Sequence, residues 1–553
     1  MSELPQSSGK PTNGSTSRYF DDLDLVTNGG KIFSPVELPT GHVAPNRLFK
    51  TAVYEHFNPY GGGPPHSGHY ALYRRWAKDG YGIILTGNTM VAKDHLTLGR
   101  DLVIPEEITD DILPPWKRLA DVMHNVDEVT GEDPPSEDGF GRPLALIQLS
   151  HAGRQSLNVV GGRPPNAPPL GASAIRAGQS HMKTHGWFSR WLHRNMHPVP
   201  IEMTKQDIEN AIAQFVRGAE LAARSGFDGV QIHGAHGYLV STFMMLKSNI
   251  RTDEYSAETD PLRFLREICF AIRANKNIPE KFLLGVKINS GDYARDGTRA
   301  GSERPLAHVR EIGSWGIIDF IEVSGGDYED PEFVDSAASF KSPRQVIFED
   351  FAEKSMKVLA EFNKPGQRPP PLVVLTGGLT TLPRMASVLA NDHAHLLGVG
   401  RLSITHPEAP RQLNASIERR ARGEPDDAFM HEPHQLEEDG LGMPPPSYLS
   451  WRGLERVVCY WLTLLWKIIP AEMPRIMCAS GNVNWHNVML RRIAFGGDVD
   501  YTIGTIGATV RFYLPGVPYA PEDPKSSKGS SWFPLFVALV GVAIGVALGG
   551  RFA

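Results

Sequence analysis

The chain has 553 residues, 41% hydrophobic and 21% charged, the profile of a globular protein. Its 56 basic and 62 acidic side chains give a formal net charge of −6, which argues against a nucleic-acid binder with its clustered basic excess. Length alone suggests roughly three or four domains, but α/β barrels routinely exceed that allowance. Cys269, Cys459 and Cys478 form no CxxC pair and no metal-ligand spacing. So sparse and odd a set speaks for a reducing compartment, and an iron–sulfur cluster would need about four thiolates.

Residues 1–30 are expected to be a disordered leader. Met1 to Ser17 is rich in Ser, Gly, Pro, Asn and Thr, and has no apolar core that could serve as a secretory signal. From about residue 48 to about residue 400, short β-rich runs alternate with helical stretches, within a barrel domain expected over 31–420. The predicted strands are Leu48–Ala52, Gly82–Thr86, Leu144–Leu149, Gly229–Ile232, Leu283–Ile288, Phe320–Val323, Leu372–Leu375 and Leu396–Val399. Their near-continuous apolar character suits strands covered on both faces of a parallel sheet. Between the third and fourth, Thr204 can cap a helix over Lys205–Arg224, with Asp207 in the first turn, Ile208, Ile212, Phe215, Val216 and Ala219 at helical spacing, and Gly226 as the stop. Asp260 is the candidate cap of a further helix, with Pro261 in its first turn. Eight strands separated by helices predict an α/β fold, a (β/α)8 TIM barrel.

Two connections interrupt the pattern. Gly131–Pro143 reads as a surface insertion, and Gly153–Pro200 as a long loop above the third strand and a candidate lid. Residues 421–530 form a C-terminal extension, in which Trp451–Ile469 predicts a packed helix and Gly481–Gly516 has no assignable pattern. Residues 531–553 predict a membrane anchor. Trp532 to Gly550 carries no charge, and Gly541, Gly545 and Gly549 are spaced four apart. A buried core helix is the alternative reading, because so many glycines leave the segment only modestly hydrophobic. An anchor there, with no signal ahead of it, would leave the main domain in the cytosol.

In a barrel of this kind the site is built at the carboxyl ends of the strands. Those ends carry Ala52-Val53-Tyr54, Thr86-Gly87-Asn88, Gln148-Leu149-Ser150-His151, His233-Gly-Ala-His236-Gly-Tyr238, Lys287 with Asn289, Ser324-Gly325-Gly326, Thr376-Gly377-Gly378 and Gly400-Arg401. The HxxH pair could be a metal site lacking a third ligand, or two structural histidines. Lys287 could snorkel, or act as a Schiff-base nucleophile in a lyase on the same barrel. No Rossmann fingerprint is present.

The set resembles the Old Yellow Enzyme family of FMN-dependent NAD(P)H oxidoreductases. Pro45-Asn46-Arg47, GIILTGNTMV from Gly82, IQLSHAGRQ from Ile147, FDGVQIHGAHGYLVSTFM from Phe227, IRTDEYSA from Ile250, TGG at Thr376 and VGR at Val399 carry the resemblance, over roughly Asn46 to Thr405. It implies an FMN site made by Ala52, Tyr54, Gly87, Gln148, Lys287, Gly377, Gly378, Gly400 and Arg401. Gln148 would meet the pyrimidine edge of the flavin, Lys287 the N1 and C2 oxygen region where charge collects on reduction, and the glycines with Arg401 the phosphate. Gly87 would let the ring approach the backbone. His233 and His236 would bind the carbonyl oxygen of an enone-type small molecule, and Tyr238 would protonate its α-carbon.

Many relatives carry Thr or Cys where Tyr54 stands, so its effect on flavin potential and substrate room is left open. A net isomerase or dehydrogenase using the same flavin, and a non-enzymatic membrane scaffold on a degenerate barrel, are the other readings. The extension could shield the barrel, form an oligomer contact or lead to the anchor.

Overall fold

The computed structural model describes residues 23–127, 130–131, 140–179, 186–293, 299–325, 343–426 and 475–513, together with Phe429, Val457, Tyr460, Trp461 and Leu464. Eight parallel strands close on themselves: β1 (Leu48–Lys50), β2 (Ile83–Met90), β3 (Leu144–Ser150), β4 (Gly229–Gly234), β5 (Leu283–Asn289), β6 (Phe320–Ser324), β7 (Leu372–Thr376) and β8 (Leu396–Val399). The barrel is sealed where Leu397 to Val399 of β8 pair with Leu48 to Lys50 of β1. Helices Ser67–Lys78 (α1), Leu113–Met123 (α2), Lys205–Arg224 (α3), Arg263–Ala274 (α4), Glu303–Ser314 (α5), Pro343–Ala360 (α6), Leu382–Ala390 (α7) and Ala409–Ala421 (α8) follow the strands in turn. Each predicted strand is present.

Two cores hold the barrel. The larger lies between the strands and the helices. A smaller one fills the amino end of the barrel with Phe49, Ile83, Leu85, Leu144, Leu283, Phe320 and Leu396. Gly285 is required there, because a Cβ on it would sit 2.1 Å from the Phe320 ring. A short antiparallel hairpin, Val36–Glu37 with Val43–Ala44, adds Val36, Leu38 and Ala44 to that cluster and plugs the amino end. The opposite, carboxyl end stays available for chemistry.

Local sequence rules explain the best-defined helix. In α3 the Thr204 side chain accepts from the Asp207 amide while the Asp207 carboxylate accepts from the Thr204 amide, a complete capping box. Gly226 ends it with φ +85°. α4 differs from expectation: it starts at Arg263, with Leu262 rather than Asp260 at the cap, and the Asp260 carboxylate pairs with Arg266 instead.

The leader also differs. Residues 1–22 lie outside the described residues, but Leu25–Gly30 is a helix capped by the Asp24 carboxylate, and Gly29 packs against Ile417 and Leu382. The long connection after β3 is a folded excursion, with a helix over Trp187–Met196 and a Leu170–Gly171 strand paired to Ile201–Glu202. Of the surface insertion, residues 132–139 lie outside the described residues. Val457, Tyr460, Trp461 and Leu464, the described part of the predicted packed helix, are helical and exposed rather than packed. The apolar run Trp532 to Gly550 lies outside the described residues, and among the described ones no helix is long and apolar enough to cross a membrane. The segment without assignable pattern contains two helices, α9 (Arg475–Ala494) and α10 (Thr505–Tyr513). Trp485, Val488, Met489, Ile503 and Phe512 join the larger barrel core.

Candidate active site

The side chains that point into the barrel alternate along each strand. This brings Gln148, Gln231, Lys287 and Glu322 together above the apolar plug, and all four are buried. Gln148 Nε2 donates to Gln231 Oε1 at 2.5 Å, and Gln231 Nε2 donates to Glu322 Oε2 at 2.8 Å. The other Glu322 oxygen accepts from Thr51 Oγ1 at 2.5 Å and lies 3.0 Å from Lys287 Nζ. Burial pushes the Glu322 carboxyl up, but Lys287, Thr51 and Gln231 together outweigh burial and hold it below its ordinary value. Lys287 is therefore paired with a buried carboxylate that two further donors hold in place.

Above this layer, β4 runs into the segment HGAHGY. His236 and Gly237 both take left-handed conformations, φ +58° and +77°, and the Tyr238 amide donates to the Ala235 carbonyl at 3.3 Å. This tight turn folds Tyr238 back until its ring centre is 4.5 Å from that of His233. Gln155 Nε2, donating to the His236 carbonyl at 2.5 Å, and Asn289 Oδ1, accepting from the His236 amide at 3.2 Å, fix the turn from two sides. His233 Nδ1 accepts from the Ala235 amide at 3.3 Å, which leaves the proton on Nε2. Burial first, then His236 and Lys287, push His233 well below its ordinary value, so the ring is a neutral donor at pH 7. His236 Nε2 faces Ser324 Oγ at 3.1 Å.

Tyr54 joins this group. It packs with Met90, Leu96, Ala152 and Tyr238, and its hydroxyl donates to Asp101 Oδ1 at 2.7 Å while accepting from Thr97 Oγ1 at 2.8 Å. A phenol has one proton, so none is left over for a flavin oxygen while Asp101 is ionised. Burial lifts the Asp101 carboxyl from 3.8 to about 6, against the opposing hydrogen bonds from Tyr54 and Thr97. A raised carboxyl contributes stability that is complete below its unfolded value and lost as pH rises through the folded one. Asp101→Asn is accordingly expected to be more stable than the parent at pH 7, by about 1–3 kcal/mol, with the gain vanishing below about pH 4. Thermal melts at the two pH values check this, and a lower melting point at pH 7 would refute it.

The remaining expected residues fall into two groups. Gly377 and Gly378 have φ of +133° and +67° at the end of β7, and Gly400 and an exposed Arg401 follow β8 beside them. Ala52 is half-buried against the barrel interior. Gly87 also packs closely against Glu55. Its amide donates to Glu55 Oε1 and to the Tyr73 hydroxyl, both at 2.9 Å, and a Cβ would meet Glu55 Oε2 at 2.0 Å. Between Leu85 and Asn88 the strand carries a bulge, so Gly87 packs against Glu55.

These residues fit a flavin nucleotide: an amide and an ammonium in one buried layer, two glycines that bare their amides, and a cation past β8. Ser150 Oγ, Asn289 Nδ2 and Thr376 Oγ1 are buried at the same strand ends without protein partners. Sequence reasoning missed Gln231, Glu322, Asp101, Thr97 and His56. For Gln231 and Glu322 the signal was present, since a lone polar residue in an otherwise apolar strand, as in GVQI and FIEV, marks an inward position.

A family model described as NADH:flavin oxidoreductase / NADH oxidase matches residues 140–420. The NADH-dependent flavin oxidoreductase iliE of Hypocrea jecorina is 30% identical over 408 residues, 68% of this chain and 88% of that protein. Its namesake in Neonectria sp. is 30% identical over 396 residues, 70% of this chain, but this chain spans only 48% of that protein. Among solved structures, an old yellow enzyme homologue from Zymomonas mobilis superposes with a TM-score of 0.51 at 19% identity, over 72% of this chain and 95% of that one. Morphinone reductase gives 0.50 at 19% identity, over 69% and 89%. At such identity the last two show the barrel fold alone.

Proposed function

Because the chain belongs to the NADH:flavin oxidoreductase / NADH oxidase family, we propose that it is an ene-reductase, which saturates a C=C bond conjugated to a carbonyl group. Its cofactors are FMN and, as reductant, NAD(P)H. Bound FMN supplies the hydride. Gln148 and Lys287 hold the ring from the buried layer, and Gly377, Gly378, Gly400 and Arg401 hold the phosphate. His233, neutral and protonated on Nε2, donates to the substrate carbonyl oxygen and stabilises the charge that gathers there, and His236 assists from beside Ser324. Tyr238, held over His233 by the turn at His236-Gly237, delivers the proton to the α-carbon. Tyr54 and Ala52 wall the pocket on the β1 side.

The observation that carries this reading is the pairing of a neutral histidine donor with a phenol 4.5 Å away, centre to centre. The test is the visible spectrum of the full chain, purified in detergent, followed anaerobically through NADPH and then an enone. A flavin spectrum that bleaches with the first and returns with the second, one NADPH per saturated product, supports it. Product formed without NADPH consumption would point to a flavin-dependent isomerase, and a protein that cannot be reconstituted with FMN would end both readings.

We further propose that the chain attaches to a membrane from the cytosolic side through the uncharged run Trp532 to Gly550. The exposed Val457, Tyr460, Trp461 and Leu464, spaced as one helix face, support this. Recovery of the full chain in the soluble fraction without detergent would overturn the attachment.

A further inference from the structure

The C-terminal helices reach the barrel mouth at His56 and Arg100. The His56 backbone is left-handed, φ +49°, a conformation that a residue with a Cβ adopts only when its surroundings hold it there. The holding groups come from the extension. Arg491 of α9 donates from Nη2 to the His56 carbonyl at 3.0 Å, and Phe512 of α10 packs edge-on against the His56 ring at 5.6 Å. Arg491 also lies over the Phe512 ring at 5.1 Å. Arg100, from the loop that carries Asp101, donates to the Phe512 carbonyl at 3.2 Å, so α10 is tied to the same loop.

On its other side the His56 ring stacks on Tyr54, with centres 4.0 Å apart and planes 6° off parallel. His56 Nδ1 is buried without a partner among the described residues, and the ring's contacts with Tyr54 and Phe512 are aromatic. Burial first, then Arg100 and Arg491, push the ring well below its ordinary value, so it is a neutral aromatic slab. Tyr54 is thereby gripped twice, by ring stacking at its face and by Asp101 and Thr97 at its hydroxyl.

We infer that the C-terminal extension is a wall of the active site: α9 and α10 hold Tyr54 against the substrate pocket by fixing His56, so that Phe512, Arg491 and His56 are positioning residues that set which ligands fit beside Tyr238. The inference rests on the flavin-pocket reading above and gives the extension a use at that pocket. A barrel trimmed of these helices would leave His56 free to leave the left-handed region, and Tyr54 held at its hydroxyl alone, by Asp101 and Thr97.

A double-substitution cycle tests this on ligand binding to the oxidised holoenzyme, with 4-hydroxybenzaldehyde as the probe and the flavin absorbance as the readout. Phe512→Ala is expected to weaken binding by roughly fivefold to tenfold, the scale of one aromatic stacking contact. In a Tyr54→Ala background the same Phe512 substitution is expected to change binding by less than about twofold, since the ring through which it acts is gone. Equal weakening in both backgrounds would overturn the inference, because it would mean a general loosening. So would unchanged binding in the parent background. If Phe512→Ala fails to fold, Phe512→Leu and Arg491→Met provide the same comparison with less apolar area lost. Failure of the unaltered holoenzyme to bind the phenol at all would overturn the pocket reading, and this inference with it.

Discussion

Tyr238→Phe is expected to slow reoxidation of the reduced enzyme by an enone by about 10²–10⁴, the usual contribution of a positioned general acid. Reduction of the flavin by NAD(P)H should be almost unchanged, because that half-reaction needs no proton at the substrate α-carbon. The expectation follows from position. Tyr238 is buried, it begins the helix Leu239–Met244, and its amide is tied to the Ala235 carbonyl, so phenylalanine can occupy the same place. The Leu239 amide, which donates to the His151 carbonyl at 3.0 Å, keeps the helix start in place. Rapid-mixing absorbance at the flavin band separates the two half-reactions. Equal loss in both would show that Tyr238 shapes the pocket without supplying the proton.

Lys287→Met is expected to cost about 3–5 kcal/mol of stability, as for removal of one partner from a buried ion pair. Glu322 would keep Thr51 and Gln231 as donors but lose the only cation beside its carboxylate among the described residues, at 3.0 Å. Urea unfolding of the FMN-free protein measures this loss without involving the flavin. The double variant Lys287→Met, Glu322→Gln should recover most of it, because the stranded charge is then gone. FMN retention should stay low in both variants, since neither has a cation for the pyrimidine edge. A single variant as stable as the parent would show that Glu322 takes a proton instead of depending on Lys287. A double variant that holds FMN normally would remove Lys287 from the flavin site.

Lys287 lies in the buried layer and Tyr238 above it, a region that was only half visible from the chain. Lys287, Gln148, His233, His236 and Tyr238 stand at strand ends, where barrel geometry makes any polar residue a candidate. Glu322 and Gln231 stand level with Lys287 and Gln148 in the strand register, but with their strands read as continuous apolar runs they passed unnoticed. Gly87 makes a contact that no local signal announced. A glycine at a strand end suggested an approaching ring, and Glu55, brought over from the β1 side, packs against it.

The sequence by itself determined the eight strands, the ends that carry chemistry and the capping of helix Lys205–Arg224, because each depends on local signals: apolar runs, periodicity, and a cap with its reciprocal partner. Only the tertiary structure decided which side chains meet. The distance from Tyr54 to Asp101 is set by the loop after β2, and that from His56 to Phe512 by a helix more than 450 residues further along the chain. No local pattern encodes such pairs. In the helix around Tyr460 and Trp461 the four described residues are exposed, and apolar residues at helical spacing specify a face and not what covers it. Contacts across long sequence separation depend on the closed barrel bringing their elements together, and they give Asp101 and His56, unremarked as loop residues, their places beside Tyr54.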